Sequence, residues 1–173
     1  MNIRPADITE VALVVGWRDE RAAWLGRQGR DQWGSGGLAR DNFVERVKSS
    51  IQAGETWMLE KGQRPIATIA IDQWTDPGLW DTGQVDDALF LHRLISPIDS
   101  AGLDVAGPLV SHALLLAAQQ HKRWLRLDAW TSNTKLHAFW VRQGFELVRT
   151  VPGPKSGTLF QRPVFDGLCG ESR

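Results

Sequence analysis

Hydrophobic residues recur every three or four positions in four segments of the chain, which is the spacing of an amphipathic helix. Near the start, Asp7 and Glu10 have the spacing of a capping box, with a carboxylate in place of the usual hydroxyl. Pro108 stands at a permitted position at the beginning of the third segment, and Gly144 closes the fourth. The pattern predicts helices over residues 7–27, 39–53, 108–121 and 134–143.

Shorter apolar runs, bounded by turn residues, predict the strands. Residues 56–60 and 65–71 are joined by a short turn at Gly62, which favours an antiparallel hairpin. The other predicted strands are residues 3–5, 88–95, 124–129, 145–151 and 158–164. The order βααβββαβαββ predicts a single-domain α/β fold over residues 1–165, a mixed sheet with helices on both faces, and residues 166–173 form a C-terminal tail.

Composition argues against several classes of protein, among them those that bind nucleic acid or membranes. The chain has 173 residues, with 20 Lys and Arg against 20 Asp and Glu, so there is no global electrostatic case for binding nucleic acid. No apolar run approaches the roughly 20 residues that span a bilayer, and the first residues lack the apolar core of a signal peptide. A cytoplasmic location without membrane contact is therefore expected. Cys169 is the one cysteine of the sequence, which excludes intrachain disulfides and cysteine-based zinc sites.

Three segments, in this order, resemble the GNAT superfamily of N-acyltransferases. They are residues 91–97 (LHRLISP), the loop at residues 101–107, and residues 133–145, which resemble the family's Asn-x6-Tyr-x3-Gly-Phe helix. Together with the predicted element order, the resemblance covers nearly the whole chain. It implies a GNAT-like fold, acetyl-CoA or a related acyl-CoA as co-substrate, and no metal.

The loop before the third predicted helix is where the family holds the donor's pyrophosphate, since backbone N–H groups at a positive helix end suit an anion. The family's pattern is Gln/Arg-x-x-Gly-x-Gly/Ala, and of the aligned Ala101, Asp104 and Ala106 only the last matches. Asp104 places a carboxylate where a phosphate approaches, and an acidic helix cap is the alternative interpretation. The donor-binding residues implied here are Gly102, Leu103, Asp104, Val105, Ala106 and Gly107.

The resemblance also places the donor against the strand at residues 88–95 and the last predicted helix. The family's splayed strand pairs with the pantetheine arm, which implicates Leu94, Ile95 and Ser96; ordinary core residues are the alternative. Asn133 caps the helix and also binds the donor. Trp140 aligns with the family's Tyr, often the general acid, but an indole N–H does not act as an acid near neutral pH. The proton for the leaving thiolate is therefore left open.

Candidates for catalysis and acceptor binding lie on the same strand and in the loops beside it. Some family members have a general base at the position of His92, and an imidazole suits this role, whereas a hydrogen-bonded core histidine is the alternative. The acidic alternatives are Asp72, Asp86 and Asp87, which lie near predicted strand ends, and Asp87 is the one assigned to catalysis. A solvated loop carboxylate is the alternative interpretation of each. Trp33, Asp72 and Trp74 are candidates for the acceptor pocket, because tryptophan lines apolar and cation-binding cavities.

The resemblance implies an N-acyltransferase that moves an acetyl or other short acyl group from acyl-CoA to a primary amine of a small molecule by direct attack. One alternative keeps the fold and takes the acyl group from an acyl carrier protein or aminoacyl-tRNA. Lys122, Arg123 and Arg126 would then form a local basic patch. Another alternative is a catalytically inactive, ligand-binding member. A homodimer is compatible with the sequence, which does not identify the acceptor.

Overall fold

The computed structural model describes residues 1–33 and 39–164; the predicted tail, with Cys169, lies outside them. The strands are β1 (Asn2–Pro5), β2 (Thr56–Lys61), β3 (Arg64–Asp72), β4 (Ala88–Ile95), β5 (Trp124–Ala129), β6 (Glu146–Thr150) and β7 (Thr158–Pro163). The helices are α1 (Val11–Arg27), α2 (Arg40–Gln52), α3 (Thr82–Val85), α4 (Ala106–Gln119) and α5 (Thr134–Arg142). None of the helices in these ranges is long and apolar enough to cross a membrane.

The strands form one seven-stranded sheet in the order β1-β2-β3-β4-β5-β7-β6. β4 and β5 are parallel, and the other neighbouring pairs are antiparallel. This mixed sheet confirms the predicted fold class and element order. Two short helices of the described residues were not predicted by the hydrophobic pattern: the four-residue α3, between β3 and β4, and a 3-10 helix over Ile98–Ser100.

Two helix starts differ from the prediction for local reasons. The capping box of Asp7 and Glu10 forms, with both reciprocal hydrogen bonds, but it caps a 3-10 turn over Ile8–Glu10, and α1 begins only at Val11. α4 begins at Ala106, two residues before the predicted start, so Pro108 is its third residue. That position lies within the first turn, where the N–H has no partner inside the helix.

Apolar side chains cover both faces of the sheet. Leu59 and Met58 are consecutive in β2 and fully buried, so they project to opposite faces. Leu59 belongs to a cluster with α4 and with Trp140 of α5, whereas Met58 packs with residues of α1 and α2. Helices therefore lie on both faces, as predicted, and the sheet between them is the frame that positions the site.

The parallel pair β4 and β5 separates partway along its length. The two strands pair at three positions, the last of which joins Phe90 to Arg126, and no pairing follows up to Ile95 and Ala129. On its other side β4 carries a bulge, since two steps of β3 from Ala70 to Thr68 face three steps of β4 from His92 to Ile95. The divergence opens the sheet immediately after Phe90.

Candidate active site

Two adjoining cavities occupy the opening between β4 and β5. The first, which we call the strand cavity, has a volume of about 570 Å³ and is lined by residues 91–94 of β4 and 127–129 of β5, among others. The second, the helix cavity, has a volume of about 290 Å³ and lies between the end of β4, α1 and α5. The residues common to both linings are Gln32, Trp33, Leu94, Leu136 and Trp140. A molecule in one cavity therefore meets a molecule in the other beside Leu94 and Trp140.

His92 lines the strand cavity, and two oxygen atoms lie within hydrogen-bond distance of its Nε2 atom. Its Nε2 lies 3.1 Å from Oδ1 of Asp72 and 2.9 Å from the carbonyl oxygen of Trp74. Both oxygens accept, so Nε2 carries the hydrogen in the neutral ring and Nδ1 keeps its lone pair. The backbone N–H of Trp74 also donates to Asp72 Oδ1, at 2.8 Å. A neutral imidazole fixed by a carboxylate is a suitable general base.

The three predicted acceptor-pocket residues lie in different places. Trp33 lines both cavities. Asp72 lines neither, because its carboxylate faces His92, and it acts on the site through that ring. Trp74 is also absent from the linings. Its ring lies 4.0 Å from the guanidinium of Arg46, which does line the strand cavity, so Trp74 positions groups of the site.

Asp128 is a residue of the site that the sequence analysis missed. The last paired positions of the diverging strands are Phe90 and Arg126, so His92 and Asp128, each two residues further on, project to the same face. Both line the strand cavity. Burial raises the pKa of the Asp128 carboxyl, although a hydrogen bond from the hydroxyl of Ser156 acts in the opposite direction. An acidic residue within the apolar run of β5 was the available signal.

The raised pKa of Asp128 predicts that ionisation of this carboxyl lowers the free energy of unfolding. The unfolded carboxyl ionises near 3.8, so above that pH the folded state carries the cost of a buried charge. Asp128→Asn keeps an acceptor for Ser156 and removes the charge. We expect the variant to have a higher free energy of unfolding than the wild type at pH 7, and the difference to vanish below about pH 3.8. Urea unfolding at several pH values measures this, and a variant less stable at pH 7 would contradict it.

Asp87, the predicted acidic catalyst, lies at the other end of β4. One of its carboxylate oxygens is 2.8 Å from Nη1 of Arg126, and it lines neither cavity. Asp87 and His92 are five residue steps apart along extended chain, a distance of roughly 16 Å. The structure therefore corrects this assignment, since the two side chains cannot reach one substrate atom.

The predicted basic patch also changes. Arg126 is buried, with a relative exposure of 3%. Its guanidinium lies over the ring of Trp80 and pairs with Asp87. Only Lys122 and Arg123 of the three predicted cations remain near the surface. A patch of three exposed cations is therefore not formed.

Several residues assigned to donor binding by resemblance line the helix cavity. They are Leu94, Ile95, Ser96, Val105, Asn133 and Trp140. Asn133 caps α5 by accepting from the N–H of Leu136, and its amide donates to Gln32 at 2.7 Å. The cap thus ties α5 to the segment after α1. Arg21 of α1 donates to the carbonyl oxygen of Ser96 at 2.7 Å, which fixes the end of β4.

The loop before α4 contributes less to the cavities than predicted. Gly102, Leu103, Asp104, Ala106 and Gly107 are not among the lining residues of either cavity. Asp104 Oδ1 instead accepts from the N–H of Gly107 at 2.9 Å. A carboxylate therefore already occupies the helix N-terminus, which agrees with the acidic-cap interpretation. Within residues 1–33 and 39–164, no group of three or more His, Cys, Asp or Glu side chains could hold a metal ion.

Comparison with known proteins finds relatives in sequence and in structure. No protein-family model matches the chain. An uncharacterized N-acetyltransferase, YesJ of Bacillus subtilis (strain 168), is 25% identical over 148 residues, covering 83% of this chain and 81% of the relative. A GNAT-family acetyltransferase from Listeria monocytogenes 4b F2365 superimposes with a TM-score of 0.69 at 22% identity, with 94% of each chain covered. YncA of Salmonella typhimurium, solved with acetyl-CoA, gives a TM-score of 0.66 at 14% identity, covering 100% of this chain and 99% of its own. The predicted resemblance and fold are confirmed.

Proposed function

Taking the chain as an acyltransferase of the GNAT type, we propose that it transfers an acetyl or other short acyl group from acyl-CoA to a primary amine of a small molecule. The observation that carries the proposal is the junction of two cavities beside Leu94 and Trp140, with the Asp72-supported imidazole of His92 on one side. A two-substrate transfer requires such a junction, because both reactants must be held in contact away from bulk water.

The donor occupies the helix cavity in this proposal. Beyond Phe90 the edge of β4 that faces β5 has no strand partner among the described residues, so its backbone is available to an extended chain. The pantetheine arm is an extended amide chain and can pair with such an edge. Acyl-CoA in this position has its thioester at the shared wall of the two cavities. The structure of YncA with acetyl-CoA supports this choice of donor.

The acceptor amine occupies the strand cavity and attacks the thioester directly. Its ammonium loses a proton to Nδ1 of His92, and the nitrogen forms a bond to the acyl carbon as the carbon–sulfur bond breaks. The acylated nitrogen loses its second proton to water, and the leaving thiolate takes a proton from water, because Trp140 offers an N–H that does not ionise near neutral pH. Trp140 is buried at the junction and shapes the contact between the reactants.

Thiol release from acetyl-CoA with a panel of primary amines tests the proposal. We expect release that depends on both reactants and equals the amount of N-acetylated amine found by mass spectrometry. Acetyl-CoA alone gives the background of hydrolysis. If calorimetry detects CoA binding but no amine causes thiol release from acetyl-CoA, the protein would instead be a catalytically inactive family member that binds a ligand.

A second candidate keeps the fold and changes the donor to an acyl carrier protein. The observation in its favour is the Asp104 carboxylate at the N–H of Gly107, where a pyrophosphate would bind. A pantetheine arm on a carrier has no pyrophosphate and leaves this cap undisturbed. Aminoacyl-tRNA is less favoured, since Arg126 is buried and paired. Turnover with an acyl-loaded carrier and none with acetyl-CoA would select the second candidate; location in the cytoplasm stays a prediction.

A further inference from the structure

Arg93 sits at the bulge of β4 in an unfavourable backbone conformation. Its φ angle is 52°, in the left-handed region that residues other than glycine, asparagine and aspartate rarely adopt. Such a conformation is unfavourable for a residue with a side chain and persists where the surroundings enforce it. The bulge turns Arg93 out of the alternation of the strand, and the residue lines the strand cavity directly after His92. The fold thus keeps a strained arginine at the site.

The guanidinium of Arg93 is incompletely satisfied. Its Nη2 atom is buried and has no hydrogen-bond partner within residues 1–33 and 39–164. Burial lowers the pKa of Arg93, and the nearby carboxylates of Asp72 and Glu55 only partly offset this. Asp72 is already bonded to His92 and Trp74. A buried guanidinium N–H without an acceptor is costly, unless a ligand supplies the acceptor.

The charges of the strand cavity are arranged for a ligand with two opposite ends. Its lining contains four cations and two carboxylates, which are Arg18, Arg46, Arg93, Lys155, Asp76 and Asp128. Asp128 projects beside His92, so this part of the cavity suits an ammonium group that is about to lose its proton. Arg93 and Arg46 supply positive charge in the same cavity. An amine without a second charge would leave the Arg93 side unpaired.

We propose that Arg93 binds an oxyanion of the acceptor, so that the acceptor is a primary amine that also carries a carboxylate or a phosphate. A guanidinium presents two parallel N–H groups that match either oxyanion. The simplest such acceptor is an amino acid. This inference rests on the proposed acyl transfer for its reaction, and on the unpartnered Nη2 of Arg93 for its specificity.

Matched pairs of amines measure this specificity. Lysine is compared with cadaverine, tryptophan with tryptamine, and 2-aminoethyl phosphate with ethanolamine, each with acetyl-CoA. We expect the wild type to have the higher kcat/KM for the anionic member of a pair. Arg93→Asn, chosen because asparagine tolerates the left-handed region, should lower kcat/KM for that member by about 10- to 100-fold. For the partner that lacks the oxyanion, kcat/KM should change by less than about threefold, and the phosphate pair separates the two oxyanions.

Arg64→Asn is the matched control, since Arg64 is exposed, pairs with Asp99 and lines neither cavity. Calorimetry with the N-acetylated members of each pair measures the preference for the oxyanion as a difference in affinity, without turnover. If no amine is acetylated but N-acetyl amino acids bind the wild type and not Arg93→Asn, the acyl transfer fails and the oxyanion site stands. The inference would be overturned if the wild type had the same kcat/KM for both amines of every pair and bound their N-acetylated forms equally well.

Discussion

His92→Gln is expected to lower kcat for acyl transfer by about 100- to 10,000-fold, the usual range for loss of a general base. Glutamine retains an N–H that can donate to Asp72 and to the carbonyl oxygen of Trp74, as Nε2 of His92 does. It has no group that takes a proton from an ammonium near neutral pH. The proposed donor contacts lie in the helix cavity, whose lining does not include His92. CoA affinity, measured by calorimetry, should therefore stay within about twofold of the wild type.

His137→Gln is the control for this experiment. The Nε2 of His137 also lies near a tryptophan carbonyl oxygen, 3.0 Å from that of Trp130, and His137 lines neither cavity. The control separates loss of a base from loss of an imidazole with similar bonding. A kcat of His92→Gln within about threefold of the wild type would exclude His92 as the base. Asp128, on the same face of the cavity, would then be the next residue to replace.

The positions of the strands were predictable because buried strands are short apolar runs with clear limits. β4 and β5 begin and end at the predicted residues, 88–95 and 124–129. The connection at residues 72–87 has no such periodicity, and its structure depends on tertiary contacts. The carbonyl oxygen of Trp74 holds His92, which no local pattern indicates.

The composition of the site was less predictable than the fold. The divergence of β4 from β5 decides which side chains face a cavity, and a strand pattern read alone does not show where two strands part. The spacing of residues along the strands therefore did not indicate that Asp128 and Arg93 face a cavity. The conformation of Arg93 depends on a bulge that is set by the register of β4 with β3. Asp87 was a candidate because it lies near a strand end, but that end of β4 is five residue steps of extended chain from His92, and Asp87 pairs there with Arg126.

Asp104→Gly is expected to bind CoA about 10- to 100-fold more tightly than the wild type, the second large effect. The carboxylate of Asp104 accepts a hydrogen bond from the N–H of Gly107, so a pyrophosphate must displace this carboxylate and still lie close to its negative charge. Two unit charges about 4 Å apart repel by about 1 kcal/mol in water and about 4 kcal/mol near a protein surface, and each 1.4 kcal/mol is tenfold in affinity. Calorimetry at low ionic strength measures the gain, which should shrink as salt screens the charges.

Asp104→Asn separates the two causes, because its amide oxygen still accepts from Gly107 while the charge is gone. If CoA affinity rises in both the Asn and the Gly variant, the charge of Asp104 is the cause. If it rises only in the Gly variant, the cause is the hydrogen bond that the N–H of Gly107 already makes. S-acetylpantetheine, which has no pyrophosphate, should bind the wild type and both variants alike. A wild type that binds CoA as tightly as both variants would show that the carboxylate moves aside at little cost. No detectable CoA binding by the wild type, with binding restored by either substitution, would instead mean that the native donor presents its pantetheine arm without a pyrophosphate.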